Sequence, residues 1–287
     1  MVFPSPLRYP GGKKKLASYV ERIVIENDIE GGTYIEPFAG GANIALHLLF
    51  KEKVSKIVIN DIDRSIYAFW YSVLYECDAL CRLIADTPIN MESWHQQKSI
   101  QNHKEDTELL KLGFSTFFLN RTNRSGIIRA GVIGGKNQNG IWKMDVRFNK
   151  SELTRRIEKI ARYAGRIELY NMDAMAFINR IHHEIDTHTL VYFDPPYYNQ
   201  GAALYANFYS HSDHAELANF IKHLECKWML TYDFTDEVIA LYHDIERYLL
   251  TLSYTAQRKT RGNEMIAFSP GLIVPTGKYS SVAIEQL

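Results

Sequence analysis

The sequence predicts an α/β fold interrupted by a helical and loop insertion. Three observations predict it. Short apolar runs closed by turn signals, at Tyr34-Ile35, Lys56–Asn60 and Leu190–Phe193, read as buried strands. Segments with helical periodicity follow them. The alternation stops after Asp61 and resumes near Ser151, so residues 1–62 and 151–287 are expected to form a core and 63–150 an insertion. The order of strands and turns is that of a Rossmann-like sheet.

Leu16, Tyr19, Val20, Ile23 and Val24 mark the first helix, and Ala42–Phe50 the second. In the insertion, Ile66, Phe69, Trp70, Val73 and Leu74 share one helical face, and Leu109, Leu112, Phe117 and Phe118 belong to a later helix. Ser151 is placed to cap the helix carrying Leu153, Ile157 and Ile160. Arg166–Tyr170 is expected as a strand, then a helix near Asp213–Leu224 and strands at Trp228–Tyr232, Tyr248–Tyr254 and Glu264–Phe268.

With 287 residues, the chain suffices for one large domain or a core with a sizeable insertion. Lys+Arg and Asp+Glu are both 33, so the whole molecule has no field to steer a polyanion, and any such partner must be held by local patches. No apolar segment has the length of a membrane span, and residues 1–10 lack a secretory apolar stretch, so a cytoplasmic location and no membrane partner are expected. Cys77, Cys81 and Cys226 read as packing residues in a reducing compartment. His182, His183, His211, Asp213 and His214 lack metal-ligand spacing, so no metal is expected; Ser212 or Asp213 reads more simply as a helix cap.

The strand Leu190–Phe193 runs into Asp194-Pro195-Pro196-Tyr197. Neither proline can extend a ladder, so the chain leaves the sheet as a stiff corner rich in acceptors. A carboxylate and a rigid carbonyl there can accept both N–H groups of a planar exocyclic amine while an aromatic ring stacks on the base that carries it. The plainer alternative is a solvent-exposed turn.

Two glycine turns accompany that corner. Arg8-Tyr9-Pro10-Gly11-Gly12-Lys13 precedes a helix and offers amides and a cation for a carboxylate or phosphate, or is an ordinary surface turn. Glu36-Pro37-Phe38-Ala39-Gly40-Gly41 joins a strand to a helix, and Asp61 follows about 20 residues later, the spacing of an acid over ribose hydroxyls. The turn is neither GxGxxG nor a Walker loop, which favours a nucleoside without a pyrophosphate. Asp173, just past a strand, either contacts an adenine amine or caps a helix.

Residues 120–150 contain five glycines and seven basic residues against one acid, Asp145. Asn120, Arg121, Asn123, Arg124, Lys136 and Asn137 are phosphate anchors and base readers if this is a DNA-facing loop or hairpin; otherwise it is a solvated loop. Arg258, Lys259 and Arg261 form a second basic turn, either a DNA backbone clamp or a hairpin tip.

With these motifs assembled, the chain resembles the Dam-type, D12-class DNA adenine-N6 methyltransferases of the α group. The resemblance rests on Tyr9 to Lys13, Glu36 to Gly41, Asp61, Asp194 to Tyr197 and the placement of the insertion. Tyr9 and Pro10 stand where the Dam enzyme has a Trp-Ala pair, and residues 121–147 are not its GATC-reading hairpin. The resemblance implies an S-adenosylmethionine-dependent methyltransferase sheet with a target recognition insertion at 63–150. It further implies an adenine-specific, site-specific DNA methyltransferase that flips its base from double-stranded DNA, with Asp194, Pro195, Pro196 and Tyr197 catalytic. Tyr9, Gly11, Gly12, Lys13, Glu36, Pro37, Phe38, Gly40, Gly41, Asp61, Asp173 and Asp194 would hold the cofactor. A cognate restriction endonuclease and a nucleoid-associated location go with that reading. The alternatives are an RNA (ribosomal) N-methyltransferase or a catalytically silent DNA-binding relative.

Overall fold

The computed structural model describes residues 4–8, 13, 15–199, 209–253, 261–279 and 282–287. The chain opens with α1 (Ala17–Glu26), β1 (Thr33–Glu36), α2 (Asn43–Phe50) and β2 (Lys56–Asn60). Then come α3 (Arg64–Tyr75), α4 (Cys77–Asp86), α5 (Met91–Asn102), α6 (Leu109–Thr122), α7 (Lys150–Ala161) and β3 (Ile167–Tyr170). The rest is α8 (Ala174–Ile181), β4 (Thr189–Phe193), α9 (His211–Lys222), β5 (Lys227–Asp233), α10 (Asp236–Leu241), β6 (Arg247–Ser253), β7 (Arg261–Phe268), β8 (Gly277–Tyr279) and β9 (Val282–Gln286). Two compact units result: Met1–Gly12 with Gly40–Asn43 and Asp61–Asn171, and Lys13–Ala39 with Ile44–Asn60 and Met172–Leu287.

In the second unit, eight strands follow the order β2-β1-β4-β5-β7-β6-β9-β8. Ile35 of β1 lies opposite Val58 of β2 on one side and Val191 of β4 on the other, both parallel. β4 is buried throughout, as expected of an apolar strand with parallel neighbours on both edges. The chain therefore leaves β1 in one direction and returns to its other side through β4, which makes their carboxyl ends a topological switch point, where α/β sheets bind ligands. Glu36 and Asp194 stand at those ends. β7 runs antiparallel beside β5, placing Glu264 opposite Asp233.

In the first unit, α6 is buried on every side between Leu112 and Asn120. Phe117 stacks on Phe69 of α3 at 5.9 Å and meets Phe148 edge-on at 5.3 Å. The unit continues past Lys150 through α7 to Asn171.

The expected strands are all present, with ends shifted by a residue or so apart from β7, which begins at Arg261 rather than Glu264. The cap of α7 is Asn149, whose Oδ1 accepts the Glu152 N–H at 3.0 Å; Ser151 lies inside the first turn because the helix starts at Lys150. α9 is capped by Ser210 in a capping box closed by Asp213. β8 and β9 were not expected, because Gly277-Lys278-Tyr279 shows no apolar alternation. No described helix is long and apolar enough to cross a membrane.

Close approach of α3 and α6 dictates one residue. A Cβ at Gly113 would stand 2.4 Å from the Ala68 carbonyl oxygen and 2.3 Å from Ser72 Oγ. Gly113→Ala should therefore force the helices apart and lower unfolding free energy by about 1–3 kcal/mol, measured by urea denaturation; an unchanged midpoint would show that the helices separate at no cost.

Candidate active site

Asp194 follows directly on β4, and its two contacts among the described residues converge on one oxygen. Thr231 of β5 donates its hydroxyl to Asp194 Oδ1 at 2.8 Å, and Lys13 Nζ lies 3.3 Å from the same atom. Because the Thr231 proton is spent on Asp194, its oxygen accepts from the Tyr192 phenol at 2.7 Å. Pro195 is buried and Pro196 and Tyr197 half-buried. Asp233, at the end of β5, accepts the N–H groups of Tyr198 and Asn199 at 2.9 and 3.1 Å and so pins the chain just after Tyr197. This corner is built into the sheet and is no solvent-exposed turn.

Lys13 is almost wholly buried. Its ammonium donates to Tyr197 Oη at 2.7 Å and to Glu264 Oε2, while Tyr197 itself donates to Glu264 Oε1 at 2.8 Å. With Asp194 as third acceptor, the three donors of Lys13 are matched by three oxygens. The cation is thus turned inward to protein carboxylates and is not presented to a ligand anion, because burying it unpaired would cost several kcal/mol. Tyr9, Gly11 and Gly12 lie outside the described residues.

Burial pushes the Asp194 carboxyl up to about 6; Lys13 and Thr231 pull it down and Glu264 pushes it up. Burial opposes the Lys13 charge, but Asp194 and Glu264 outweigh it and raise its pKa. Glu36, buried at the end of β1, is pushed up by burial to about 8, although its Oε1 accepts the Ala45 N–H at 3.2 Å.

Asn60, fully buried at the end of β2, fastens the second glycine turn: its Nδ2 donates to the Pro37 and Met172 carbonyls at 2.9 and 3.0 Å, and its Oδ1 accepts from Met172 at 2.9 Å. Phe38 is half-buried and meets Tyr209 edge-on at 6.3 Å. Asp173 is the cap of α8, its Oδ1 accepting from Met175 and Ala176 at 3.0 and 3.1 Å.

In the first unit, Gly40 adopts φ 46°, a conformation suited to glycine. Its N–H donates to Asp61 Oδ2 at 2.9 Å and its carbonyl accepts from Trp70 Nε1 at 2.9 Å; Gly41 beside it is buried. Asp61 Oδ1 accepts from Asp63 at 2.9 Å, and burial pushes this carboxyl up to about 7. The cap of α3 is Asp63, which leaves Asp61 the remaining lone pairs of its two oxygens.

The insertion separates its expected DNA contacts into two groups. Asn120 and Asn123 are buried. Asn120 accepts from Arg8 N–H and donates to the Arg8 and Gly126 carbonyls, all within 2.7 to 2.8 Å. Asn123 accepts from Trp94 Nε1 at 2.7 Å and donates to the Ile127 and Ile128 carbonyls at 3.1 and 2.9 Å. Arg121 turns to the carbonyls of Pro6 and Arg147, and burial pushes its pKa down to about 9. These three fasten loops that lack a ladder, and their polar groups are spent within the protein. Arg124, Lys136 and Asn137 are exposed, and so are Ile141 (93%) and Trp142 (67%) at the far end of the loop. An antiparallel bridge between Asn123 and Val132 makes the base of this segment a narrow hairpin. Arg258 and Lys259 lie outside the described residues, as does the Arg261 side chain; its backbone belongs to β7 opposite Ser253, so it stands in a strand and not in a turn.

Glu264, Thr231, Asn60 and Asp233 escaped sequence reasoning. A lone acid heading the apolar run Met265–Phe268 was the available signal for Glu264, since a charge on a buried strand needs a partner. No cluster of His, Cys, Asp or Glu suited to a metal occurs among the described residues.

The family described as D12 class N6 adenine-specific DNA methyltransferase matches residues 9–257. Among curated proteins, the Type II methyltransferase M.MjaIII of Methanocaldococcus jannaschii is similar, at 25% identity over 207 residues covering 67% of this chain and 68% of that protein. Among solved structures, protein LPL1258 of Legionella pneumophila aligns over 88% of this chain and 85% of its own at 8% identity, with a TM-score of 0.32, too low to speak for a shared fold.

Glu36 gives the site a pH signature in stability. Its carboxyl ionises near 4.5 when unfolded and about 8 when folded, so its contribution is full below pH 4.5 and is lost as pH rises through 8. Glu36→Gln should gain on the wild type by about 1 kcal/mol or more between pH 5 and pH 8 in denaturant unfolding; parallel stability curves would contradict a neutral buried carboxyl.

Proposed function

Because this chain belongs to the D12 class of N6 adenine-specific DNA methyltransferases, enzymes that methylate adenine in DNA, we propose that Asp194 and the Pro195 carbonyl orient the adenine amine for methyl transfer. One observation carries the reading: a half-buried Asp194 at a strand end, ionised against Lys13, whose Oδ1 is committed to the protein while no described residue reaches Oδ2.

Adenine N6 is a poor nucleophile because its lone pair is delocalised into the ring. An anionic oxygen accepting one N–H and a fixed carbonyl accepting the other hold the nitrogen in line and take up its developing positive charge. One N6 proton leaves after transfer, and a carboxyl with a pKa of about 6 is suited to receive it. The Tyr197 hydroxyl is anchored inward, which fixes the ring as a stacking face for an adenine flipped out of the duplex.

The donor set suits S-adenosylmethionine. Within the first unit Asp61 retains acceptor capacity for ribose hydroxyls and Gly40 allows close approach; within the second Phe38 offers an aromatic face and Lys13 is already neutralised, which fits a nucleoside lacking phosphates. The bound cofactor supplies an electrophilic methyl on a sulfonium; the residues named hold it and the base. Asp173 serves from its place as a cap, and Glu36 and Pro37 act through the turn they anchor.

Double-stranded DNA is met by the exposed face of the insertion, the target recognition part of residues 63–150, with Arg124, Lys136 and Asn137 forward and Asn120, Arg121 and Asn123 holding the loops behind them. The likeness to a Type II methyltransferase supports a restriction-modification setting with a cognate endonuclease, and a DNA substrate supports a nucleoid-associated place in the cytoplasm.

The test is methyl transfer from labelled cofactor to duplex DNA or RNA. Duplex DNA should be labelled and RNA should not, and Asp194→Ala should lose about 3 kcal/mol of transition-state stabilisation, a fall of more than a hundredfold; activity within tenfold of wild type would refute the assignment.

Of four tryptophans only Trp142 is exposed, so quenching of intrinsic fluorescence by duplex DNA reports on the insertion. DNA should quench Trp142, and Arg124→Ala should erode discrimination between the target site and one-base variants by about 1–3 kcal/mol. Uniform weakening on all duplexes would make Arg124 a phosphate anchor instead.

A further inference from the structure

We propose that Glu264 is a positioning residue for methyl transfer, which divides the Lys13 ammonium with Asp194 and anchors the Tyr197 hydroxyl. The inference rests on the role given above to Asp194 and Tyr197. Glu264 touches neither substrate nor cofactor in this assignment and acts through the residues it holds.

The geometry is that of a buried three-way junction. Glu264 Oε2 accepts from Lys13 and Oε1 accepts from Tyr197 at 2.8 Å, while Lys13 also donates to Tyr197 at 2.7 Å. Only 8% of the Glu264 side chain and 2% of that of Lys13 is exposed, whereas Asp194 keeps 24%. Glu264 sits on β7, the antiparallel strand, and enters the site from outside the parallel strands that carry Asp194.

Two consequences follow. The first is mechanical: Glu264 is the acceptor that fixes the direction of the Tyr197 hydroxyl, and without it that hydroxyl loses its place in the junction. The second is electrostatic. The ionisable groups facing Asp194 are Lys13, Tyr192 on β4, Tyr34 and Glu36 on β1, Tyr232 on β5 and Glu264 on β7. Among the described residues Lys13 is the sole cation of this group, and Glu264 competes for it. Glu264 thereby keeps Asp194 from being over-stabilised as an anion, and leaves it basic enough to take the amine proton.

The experiment is the single-turnover rate of methyl transfer to duplex DNA as a function of pH in Glu264→Gln, Glu264→Asp and Glu264→Ala. Glu264→Gln keeps an acceptor of similar shape but no charge, so the acid limb should move to lower pH by about one unit, with a plateau lowered about tenfold. Glu264→Asp should return the limb to its wild-type position. Glu264→Ala should shift the limb as Gln does and lose about a hundredfold at the plateau, because the Tyr197 hydroxyl loses its acceptor as well. For a variant too slow to assay, the Asp194 carboxyl can be titrated by carbon-13 NMR in the free protein, assigned by its disappearance in Asp194→Asn, and should show the same downward shift. A folded Glu264→Gln protein whose acid limb and Asp194 titration both match wild type would overturn the proposal. An Asp194→Ala enzyme of near wild-type activity would instead remove the reading beneath it, and the two failures are distinguishable because only the first leaves Asp194 essential.

Discussion

The sharing of one buried ammonium between two carboxylates is the constraint on which the site depends. Lys13 lies where water cannot solvate it, and a lone cation there is untenable, so Asp194 and Glu264 are as necessary to Lys13 as it is to them. The junction carries one net negative charge when all three groups are ionised. That surplus suits a reaction in which positive charge grows on a nitrogen beside Asp194. It also explains why an acid so enclosed stays within reach of neutral pH: burial alone would favour its neutral form, and the ammonium restores the balance.

The rest of the second unit serves this junction. Parallel pairing of β1, β4 and β5 brings Glu36, Asp194 and Thr231 to the carboxyl edge of the sheet, and antiparallel β7 adds Glu264 from the far side. Side-chain amides do for the turns what ladders do for the strands. Asn60 ties the turn after β1 to Met172 with three hydrogen bonds, one to Pro37 and two to Met172, and Asn120 and Asn123 fasten the loops of the first unit in the same way. Irregular chain must find partners for its carbonyls somewhere, and a buried asparagine supplies two donors and an acceptor in one place.

Much of the fold was legible because it is written in local patterns. Apolar runs gave strands β1, β2, β4 and β5 nearly to the residue, with a proline soon after β1 and β4, and spacing alone linked Asp61 to the glycine turn whose Gly40 N–H it accepts. What was not legible is non-local. Glu264 and Lys13 meet across 251 positions, and no periodicity links them. Asn120, Arg121 and Asn123 were expected to face DNA because they stand in a basic, glycine-rich stretch, yet the same residue types satisfy backbone within the insertion. Composition records which donors a segment owns and leaves open whether they point inward. Lys13, expected either in an anion cradle or on a surface turn, points inward to carboxylates, which its place beside two glycines does not reveal.

The separation between Lys13 and Glu264 also has a temporal meaning. A ribosome makes the chain from its amino end, so Asp194 and Tyr197 emerge well before strand β7 exists to complete the junction around them. Until then Lys13 lacks its second carboxylate and Tyr197 its acceptor. A nascent or truncated polypeptide can thus hold the Asp-Pro-Pro-Tyr string without the charge balance of the finished junction, and on the roles proposed above competence for chemistry on DNA would await closure of the antiparallel edge of the sheet.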